Sequence, residues 1–147
     1  MVDAKKALSD WYIHFVRNRD LIFNKIEKID ENEGIIYFKE KVQKLIIEPF
    51  IEDIKPILES MEEDKHYALV AFNTKQNLKQ LLENWKELSN FKFLSVTFVN
   101  PLSQLDKKWI VIPYTHSRIT EESSLKRGLI TMFETVEEFK KEDVERL

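Results

Sequence analysis

The sequence has no cysteine, two glycines and three histidines among its 147 residues. Without cysteine, the chain can form no disulfide, no thiolate zinc site and no iron–sulfur cluster. Gly34 and Gly128 lie far apart, which excludes the glycine-rich nucleotide-binding loops and the GxSxG nucleophile elbow. The histidines are too dispersed for a local metal motif such as HExxH. The sequence therefore excludes many known catalytic classes, and it does not identify a function.

The sequence also lacks a long hydrophobic run. Its longest run of apolar residues, Ala68–Phe72, is far too short to span a bilayer. The first apolar stretch is interrupted by Asp10, His14 and Arg17, so we expect no signal peptide, a cytoplasmic protein and no membrane partner. Hydrophobic residues make up 43% and charged residues 33%, which predicts one globular domain over residues 1–147.

Charge is unevenly distributed along the chain, although the net charge is only −3. Residues 48–64 contain seven acids and one base, whereas residues 107–127 contain five bases and two acids. Such runs are usual on solvated helix faces. The alternative is a bipolar molecule with one end that attracts anions, because no basic field covers the whole chain.

The apolar spacing over Ala4–Ile29 predicts a long amphipathic helix. Its main stripe consists of Leu8, Trp11, Phe15, Ile22, Ile26 and Ile29. A second apolar face would consist of Tyr12, Ile13, Val16 and Phe23. A helix with two apolar faces suits packing on both sides, for example against a second copy of the protein or another protein partner.

The next segment predicts a β-hairpin followed by a short acidic helix. Ile35–Phe38 and Leu45–Ile47 would be the two strands, with Gly34 in the turn before them and residues 39–41 in the turn that joins them. A helix over residues 39–47 is the alternative, because periodicity does not decide between the two. Pro56 would then begin an acidic helix that runs to about Glu62.

A parallel βαβ unit is predicted in the middle of the chain. His66–Phe72 is almost continuously apolar, which indicates a central strand buried on both faces. The helical stripe over Lys75–Asn90 and the alternation over Phe93–Val99 complete the unit.

A final strand and helix are predicted near the end of the chain. Trp109–Ile112 follows too soon for an ordinary parallel return, which favours antiparallel pairing over a tight one-turn crossover. Thr120 would cap a helix whose stripe extends to Val136 and Phe139, and the charged tail from Lys140 would fray. The predicted class is a mixed α/β (α+β) sheet with helices in a three-layer-like arrangement, in the order αββαβαββα.

Polar residues follow three of the predicted strands. In open α/β sheets ligands bind beyond the carboxyl ends of the strands, so these residues would form a shared hollow for an anion. The polar segment Tyr114–Arg118 is the densest, although an ordinary solvated loop is the alternative. The predicted ligand-binding residues are Asn73, Thr74, Lys75, Asn100, Tyr114, Thr115, His116, Arg118, Lys126 and Arg127. Lys107 and Lys108 would add positive charge to this region.

Two further residues carry specific expectations. His116 is the candidate catalytic residue, as a general base in a hydrolase, because an imidazole titrates near neutral pH. Gly128 would be costly inside a helix. Either the helix begins after Gly128, or another group approaches its backbone closely.

The order helix, hairpin, strand, helix, strand resembles the core of the PD-(D/E)XK nucleases. This resemblance implies two acids on neighbouring strands that hold Mg²⁺, and a lysine two residues beyond the second acid. Glu48 is the candidate metal ligand, Lys75 matches the lysine, and Asn73 replaces the second acid. Because asparagine is uncharged and a poor Mg²⁺ ligand, these residues suggest a degenerate, nuclease-like protein.

The leading hypothesis is a small, non-catalytic α/β binding protein without a cofactor. Its ligand would be RNA, DNA or a phosphorylated small molecule. The alternatives are the nuclease-like protein, with Mg²⁺, and a protein-interaction subunit that uses the first helix.

Overall fold

The computed structural model describes residues 2–147, and its centre is one six-stranded mixed sheet in which the spatial order of the strands follows the chain. The strands are β1 (Ile26–Asp30), β2 (Ile35–Phe38), β3 (Val42–Ile47), β4 (His66–Phe72), β5 (Leu94–Val99) and β6 (Lys108–Val111). β1, β2 and β3 form an antiparallel meander, β3, β4 and β5 are parallel, and β6 is antiparallel to β5.

Three predictions about this sheet are confirmed. Ile35–Phe38 forms a hairpin with the segment that contains residues 45–47, so the helical alternative over residues 39–47 is wrong. The central βαβ unit is parallel, and the last strand pairs antiparallel. Gly34 adopts a φ of +68°, as expected for a turn residue that has no Cβ.

Helices cover both faces of the sheet. The α-helices are α1 (Ala4–Phe23), α2 (Lys55–Glu59), α3 (Lys75–Glu83), α4 (Trp85–Leu88), α5 (Pro113–Ile119) and α6 (Glu122–Glu134), and a 3-10 helix spans Lys141–Arg146. Over residues 2–147, no helix is both long and apolar enough to cross a membrane. Compared with the observed elements, the predicted order αββαβαββα lacks one strand and the helices α4 and α5.

The hydrophobic residues divide into two clusters, one on each face of the sheet, which confirms the mixed α/β class. On one face, Leu8, Tyr12 and Val16 of α1 pack with Val70 and Phe72 of β4. The opposite face is covered mainly by α2, α3, α4 and α6. This division explains why β4 is apolar on both sides, since its alternate residues enter different clusters.

The first helix ends six residues earlier than predicted, and β1 begins at Ile26, inside the segment predicted to be helical. Asn24 adopts a left-handed conformation at φ 50°, which ends α1. The Asp20 carboxylate accepts hydrogen bonds from the N–H groups of Lys25 and Ile26, at 2.6 and 3.1 Å. These bonds satisfy backbone donors at the exit from the helix and turn the chain into the sheet.

The face that α1 buries also differs from the prediction. Tyr12, Ile13 and Val16, expected on a second apolar face, are buried against the sheet. Ile22, expected in the core stripe, is 83% exposed. The packing of α1 therefore gives no support to a second buried face against another copy.

Buried side-chain amides of α3 hold the segment between β3 and α2. The Asn77 amide accepts from the Ile51 N–H at 2.8 Å and donates to the Pro49 and Phe72 carbonyls at 2.9 and 2.8 Å. Gln80 accepts from the Ile54 N–H at 3.0 Å. These bonds satisfy backbone groups that have no partner in the sheet, which explains two polar residues on a buried helix face.

The chain after β6 is helical where a polar loop was expected. Pro113 is the first residue of α5. Proline is favourable there because an N–H at the first position of a helix has no acceptor within the helix. Thr120 ends α5, and Glu121 rather than Thr120 precedes α6. Val136 and Phe139 are buried as predicted, but they lie beyond the end of α6.

The charged tail also differs from the frayed segment that its composition suggested. It forms the 3-10 helix, and Val144 and Leu147 pack against the cluster that contains α1. These two apolar side chains, three residues apart, give the segment a partly buried side.

Gly128 lies inside α6, and a Cβ added at this position would meet no atom within 4 Å. Neither explanation offered by the sequence therefore applies. We expect Gly128→Ala to raise the free energy of unfolding by about 0.5–1 kcal/mol, because alanine restricts the unfolded chain and fits the helix. Urea denaturation measures this change.

The control for Gly128 is Gly34→Ala. Gly34 has a positive φ, and its Cβ would lie 3.4 Å from the Leu45 carbonyl oxygen. We expect this substitution to lower the free energy of unfolding by about 1 kcal/mol. A loss of stability in Gly128→Ala would show that α6 needs the glycine for a reason other than space.

Candidate functional site

The structure brings Asn73 and Asn100 together, but both side chains are buried and hydrogen-bonded. Asn73 is fully buried, and its Nδ2 donates to the carbonyls of Phe133 and Val136 at 3.1 and 3.0 Å. Asn73 Oδ1 accepts from Trp109 Nε1 at 2.7 Å. Asn100 donates to the Glu137 carbonyl at 2.9 Å. These two residues hold the segment after α6 against the sheet, and this segment covers them.

The segment Tyr114–Arg118 does not join them. Because β6 runs antiparallel to β5, β6 ends beside the first residues of β5. α5 therefore begins at the end of the strands opposite to Asn73 and Asn100. Arg118 stacks on Tyr114, with its Cζ 3.5 Å from the ring centroid, and Thr115 is exposed. His116 Nδ1 lies 3.1 Å from the Ile112 nitrogen and 3.0 Å from the Ile112 carbonyl oxygen, so the imidazole hydrogen-bonds to the backbone at the start of α5. The shared hollow predicted from the sequence is not formed.

Lys75 and Lys126 line the same groove, which lies between α3, α4 and α6. The groove has a volume of about 580 Å³ and is also lined by Lys79, Lys86 and Trp85. Lys79 pairs with Glu83 at 3.8 Å. Trp85 Nε1 is buried in the structure without a hydrogen-bond partner. This groove is the part of the predicted anion site that survives as a cluster.

The other predicted residues have local roles or lie apart. Thr74 caps α3 and accepts from the Asn77 N–H at 3.0 Å. Lys107 donates to the Pro101 and Ser103 carbonyls, and Arg127 is exposed on α6. Lys108 Nζ lies 5.0 Å above the Phe15 ring.

Glu48 lies directly after β3 and lines a pocket of about 670 Å³ together with Asp10 and Glu33. Across residues 2–147, no group of three or more histidine and carboxylate side chains is arranged to hold a metal ion. The buried Asn73 amide cannot serve as a second ligand either, because its oxygen accepts from Trp109. The ligand set implied by the nuclease resemblance is thus not assembled.

A basic cavity, which the sequence analysis did not predict, lies between the end of α1 and the β2–β3 turn. Its volume is about 630 Å³. It is lined by four cationic residues, two acidic residues, one asparagine and four apolar residues. The cations are Arg19, Lys25, Lys39 and Lys41; the acids are Asp20 and Glu40; the others are Asn24, Val16, Phe23, Ile26 and Phe38.

Backbone and aromatic contacts position the cations of this basic cavity. The Lys39 N–H donates to the Lys25 carbonyl at 2.9 Å, which joins the turn to the exit of α1. Lys41 Nζ lies 5.0 Å from the Phe38 ring centroid, and Arg19 Cζ lies 5.2 Å from that of Phe15. Both are within the range of cation–π attraction.

The four cations of the basic cavity outnumber its two carboxylates, so the cavity carries net positive charge. None of its four cations forms an ion pair within residues 2–147. Partial burial lowers the pKa of Lys41, and the charges of Arg19 and Lys25 lower it further. Burial also lowers the pKa of His66, and Lys41 adds to this shift. Mutual repulsion among cations is the condition that a bound anion would relieve.

The basic cavity was missed because its residues are distant in sequence and were assigned elsewhere. Arg19 and Lys25 were placed on one continuous helix, and Lys39 and Lys41 on a hairpin turn. Two signals were available: the Lys-Glu-Lys sequence at residues 39–41, and the arginines Arg17 and Arg19 in the predicted first helix. Recognising them required the position where α1 ends.

Comparisons of this chain with protein-family models, with curated proteins and with solved structures found no match. The fold and the geometry of the candidate sites are therefore the basis for inferring a function.

Proposed function

We propose that this protein binds a phosphate-bearing ligand through the basic cavity, without catalysing a reaction. The observation that carries the proposal is the presence of four cations around one cavity, none of which is paired with a carboxylate. Clustered cations cost stability through mutual repulsion. A ligand that supplies the missing negative charge accounts for their arrangement.

The chemistry of the side chains supports phosphate as the anion. Arg19 can donate two parallel hydrogen bonds to phosphate oxygens, and the lysines supply compact charges. A cavity of about 630 Å³ is within the usual range for small-molecule sites. Its open side also suits a longer polyanion such as RNA or DNA, whose phosphates would follow the cations.

We expect the double variant Arg19→Gln/Lys41→Gln to bind phosphate ligands about tenfold to thirtyfold more weakly, because it removes two charged donors. Tripolyphosphate titrated by calorimetry is the small-molecule probe. Labelled single-stranded and duplex oligonucleotides, titrated by fluorescence anisotropy across salt concentrations, are the polymer probes. If duplex DNA is a ligand, the double variant should reduce the log–log salt slope by about two.

The matched control is Lys75→Gln/Lys126→Gln, which removes two charges from the groove between α3, α4 and α6. We expect this variant to retain the affinity of the parent for all probes. If it loses affinity and the Arg19/Lys41 variant does not, the ligand binds in that groove and the proposal is wrong. If the parent protein binds none of the probes at low salt, the proposal is also wrong.

The nuclease-like alternative has a direct test of its own. Mg²⁺ or Mn²⁺ at millimolar concentration should leave the melting temperature unchanged, because no ligand cluster is assembled among residues 2–147. A clear metal-dependent rise in the melting temperature would favour that alternative over simple anion binding.

A further inference from the structure

The last turn of α1 is apolar and exposed. Leu21 and Ile22 are each 83% exposed, and Phe23 is 59% exposed. Successive helical residues point about 100° apart, so three consecutive exposed residues show that this turn packs against the protein on almost no side. The helix end therefore projects beyond the sheet as an apolar tip, which we define as residues 21–23.

Such an arrangement is costly in water unless it serves a contact. Isolated exposed apolar side chains are common, but runs of three are unusual outside functional surfaces. Exposed apolar surface of this kind marks contacts with proteins, membranes or ligands. The charge around the apolar tip indicates which of these contacts is favoured.

The apolar tip and the basic cavity form one continuous surface. Phe23 belongs to both, and Arg19 and Lys25 lie on either side of the apolar tip in the chain. The turn residue Lys39 is hydrogen-bonded through its backbone to Lys25, which places a further cation beside the helix end. Aliphatic side chains with cations at their rim match a bilayer surface, where acyl chains lie beneath anionic phosphates.

We propose that the apolar tip inserts into the surface of an anionic lipid bilayer while the cations of the basic cavity bind lipid phosphates. The inference rests on the proposed function, because it names the source of the phosphate. It concerns reversible docking at one leaflet and revises the expectation from sequence that no membrane partner exists. Apolar insertion and cation binding together supply the two signals that stable but reversible attachment requires.

Two other occupants fit the surface less well. A second copy docked through the same surface would bring two unpaired cation clusters together, which electrostatic repulsion opposes. Nucleic acid would match the cations, and Phe23 offers one ring for stacking, but Leu21 and Ile22, the more exposed residues of the apolar tip, are aliphatic and offer none. The combination of an exposed, mostly aliphatic surface with adjacent cations therefore favours lipid.

The experiment is co-sedimentation of the full chain with vesicles of phosphatidylcholine, with or without phosphatidylglycerol. The variant Leu21→Gln/Ile22→Gln tests the apolar tip, and neither residue lines the basic cavity. The matched control is Leu105→Gln/Ile119→Gln, which replaces two other exposed apolar residues that are 59% and 74% exposed. Because none of these side chains is buried, we expect both variants to fold. Their melting temperatures check this expectation.

We expect the parent protein to bind vesicles only when they contain phosphatidylglycerol. The Leu21/Ile22 variant should bind these vesicles at least about tenfold more weakly than the parent. Its affinity for tripolyphosphate should be unchanged. The Leu105/Ile119 variant should behave as the parent. Arg19→Gln/Lys41→Gln should weaken both vesicle and tripolyphosphate binding, with about a fivefold loss per charge at the bilayer.

The outcomes separate the two proposals. Tripolyphosphate binding without vesicle binding overturns the membrane proposal and leaves the proposed function intact. Vesicle binding that survives Leu21→Gln/Ile22→Gln overturns the role of the apolar tip. If this variant instead abolishes concentration-dependent self-association seen by light scattering, a second copy is the occupant. If it weakens oligonucleotide binding and leaves vesicle binding unchanged, nucleic acid is the occupant.

Discussion

Asn73→Ala should lower the free energy of unfolding by about 3 kcal/mol, because two buried polar groups lose partners at about 1–3 kcal/mol each. One is Trp109 Nε1, which donates to Asn73 Oδ1 at 2.7 Å. The other is the Val136 carbonyl, which accepts from Asn73 Nδ2 at 3.0 Å. Asn73 is fully buried, so water cannot replace these bonds without opening the structure.

Urea denaturation of Asn73→Ala and of the control Asn90→Ala measures this effect. Asn90 is exposed, and we expect its truncation to change the free energy of unfolding by no more than about 0.5 kcal/mol. Equal effects of the two substitutions would show that the hydrogen bonds of Asn73 contribute little. The m-values should match that of the parent, so that the comparison reports stability alone.

Asn73→Asp introduces the second acid that the nuclease resemblance requires. Its effect on the melting temperature in the presence of Mg²⁺ distinguishes a structural amide from a metal ligand at this position. In the structure, a carboxylate at this position would face the Phe133, Val136 and Glu137 carbonyls, which now accept hydrogen bonds from the amide. We expect it to be at least as destabilising as alanine, and Mg²⁺ should not restore the melting temperature. Recovery by Mg²⁺ would instead support a metal site after β4.

Phe139→Ala should lower the free energy of unfolding by about 3–5 kcal/mol. Phe139 is 1% exposed, and its ring stacks on Phe72 with centroids 3.9 Å apart and lies near Phe50. Its N–H donates to the Asn73 carbonyl at 2.8 Å. The ring therefore anchors the chain after α6 over the carboxyl end of β4, and its removal leaves a cavity beside Phe72 and Phe50.

Phe23→Ala is the control for this prediction, since it removes the same side chain from an exposed position. We expect it to change stability by no more than about 0.5 kcal/mol. Phe139→Leu should be intermediate, because it retains much of the apolar volume. Limited proteolysis adds a second readout: cleavage near residues 140–147 should accelerate in Phe139→Ala, because the tail loses its anchor. Unchanged cleavage and stability would show that the tail is held by other contacts.

The position of positive charge shows how sequence and tertiary structure differ as guides to this protein. The sequence suggested a basic end formed by residues 107–127. In the structure, Lys107 donates to backbone carbonyls, Arg118 lies on Tyr114, and Arg127 is exposed on α6. The unpaired cluster comes instead from residues 19–41, which are separated in sequence and meet because α1 ends beside the β2–β3 turn.

Periodicity, composition and connection length predicted the mixed α/β class, the parallel βαβ unit, the antiparallel last strand and most of the core, whereas the choice between a hairpin and a helix over residues 39–47 stayed open. These features depend on local hydrophobic spacing and connection length, which a sequence displays directly. Element ends were less accessible. The exit from α1 depends on a left-handed Asn24 and on the Asp20 carboxylate bonded to two backbone donors. The sequence alone does not show which polar side chain makes such bonds.

The candidate sites were decided by tertiary structure. Asn73 and Asn100 resemble ligand-binding residues in sequence because they follow strands, but the chain after α6 folds over them and uses their hydrogen bonds. The basic cavity and the apolar tip depend on where α1 ends and on which of its faces meets the sheet. Polar side chains satisfy whichever groups the fold places beside them, so their roles follow from long-range packing rather than from local pattern.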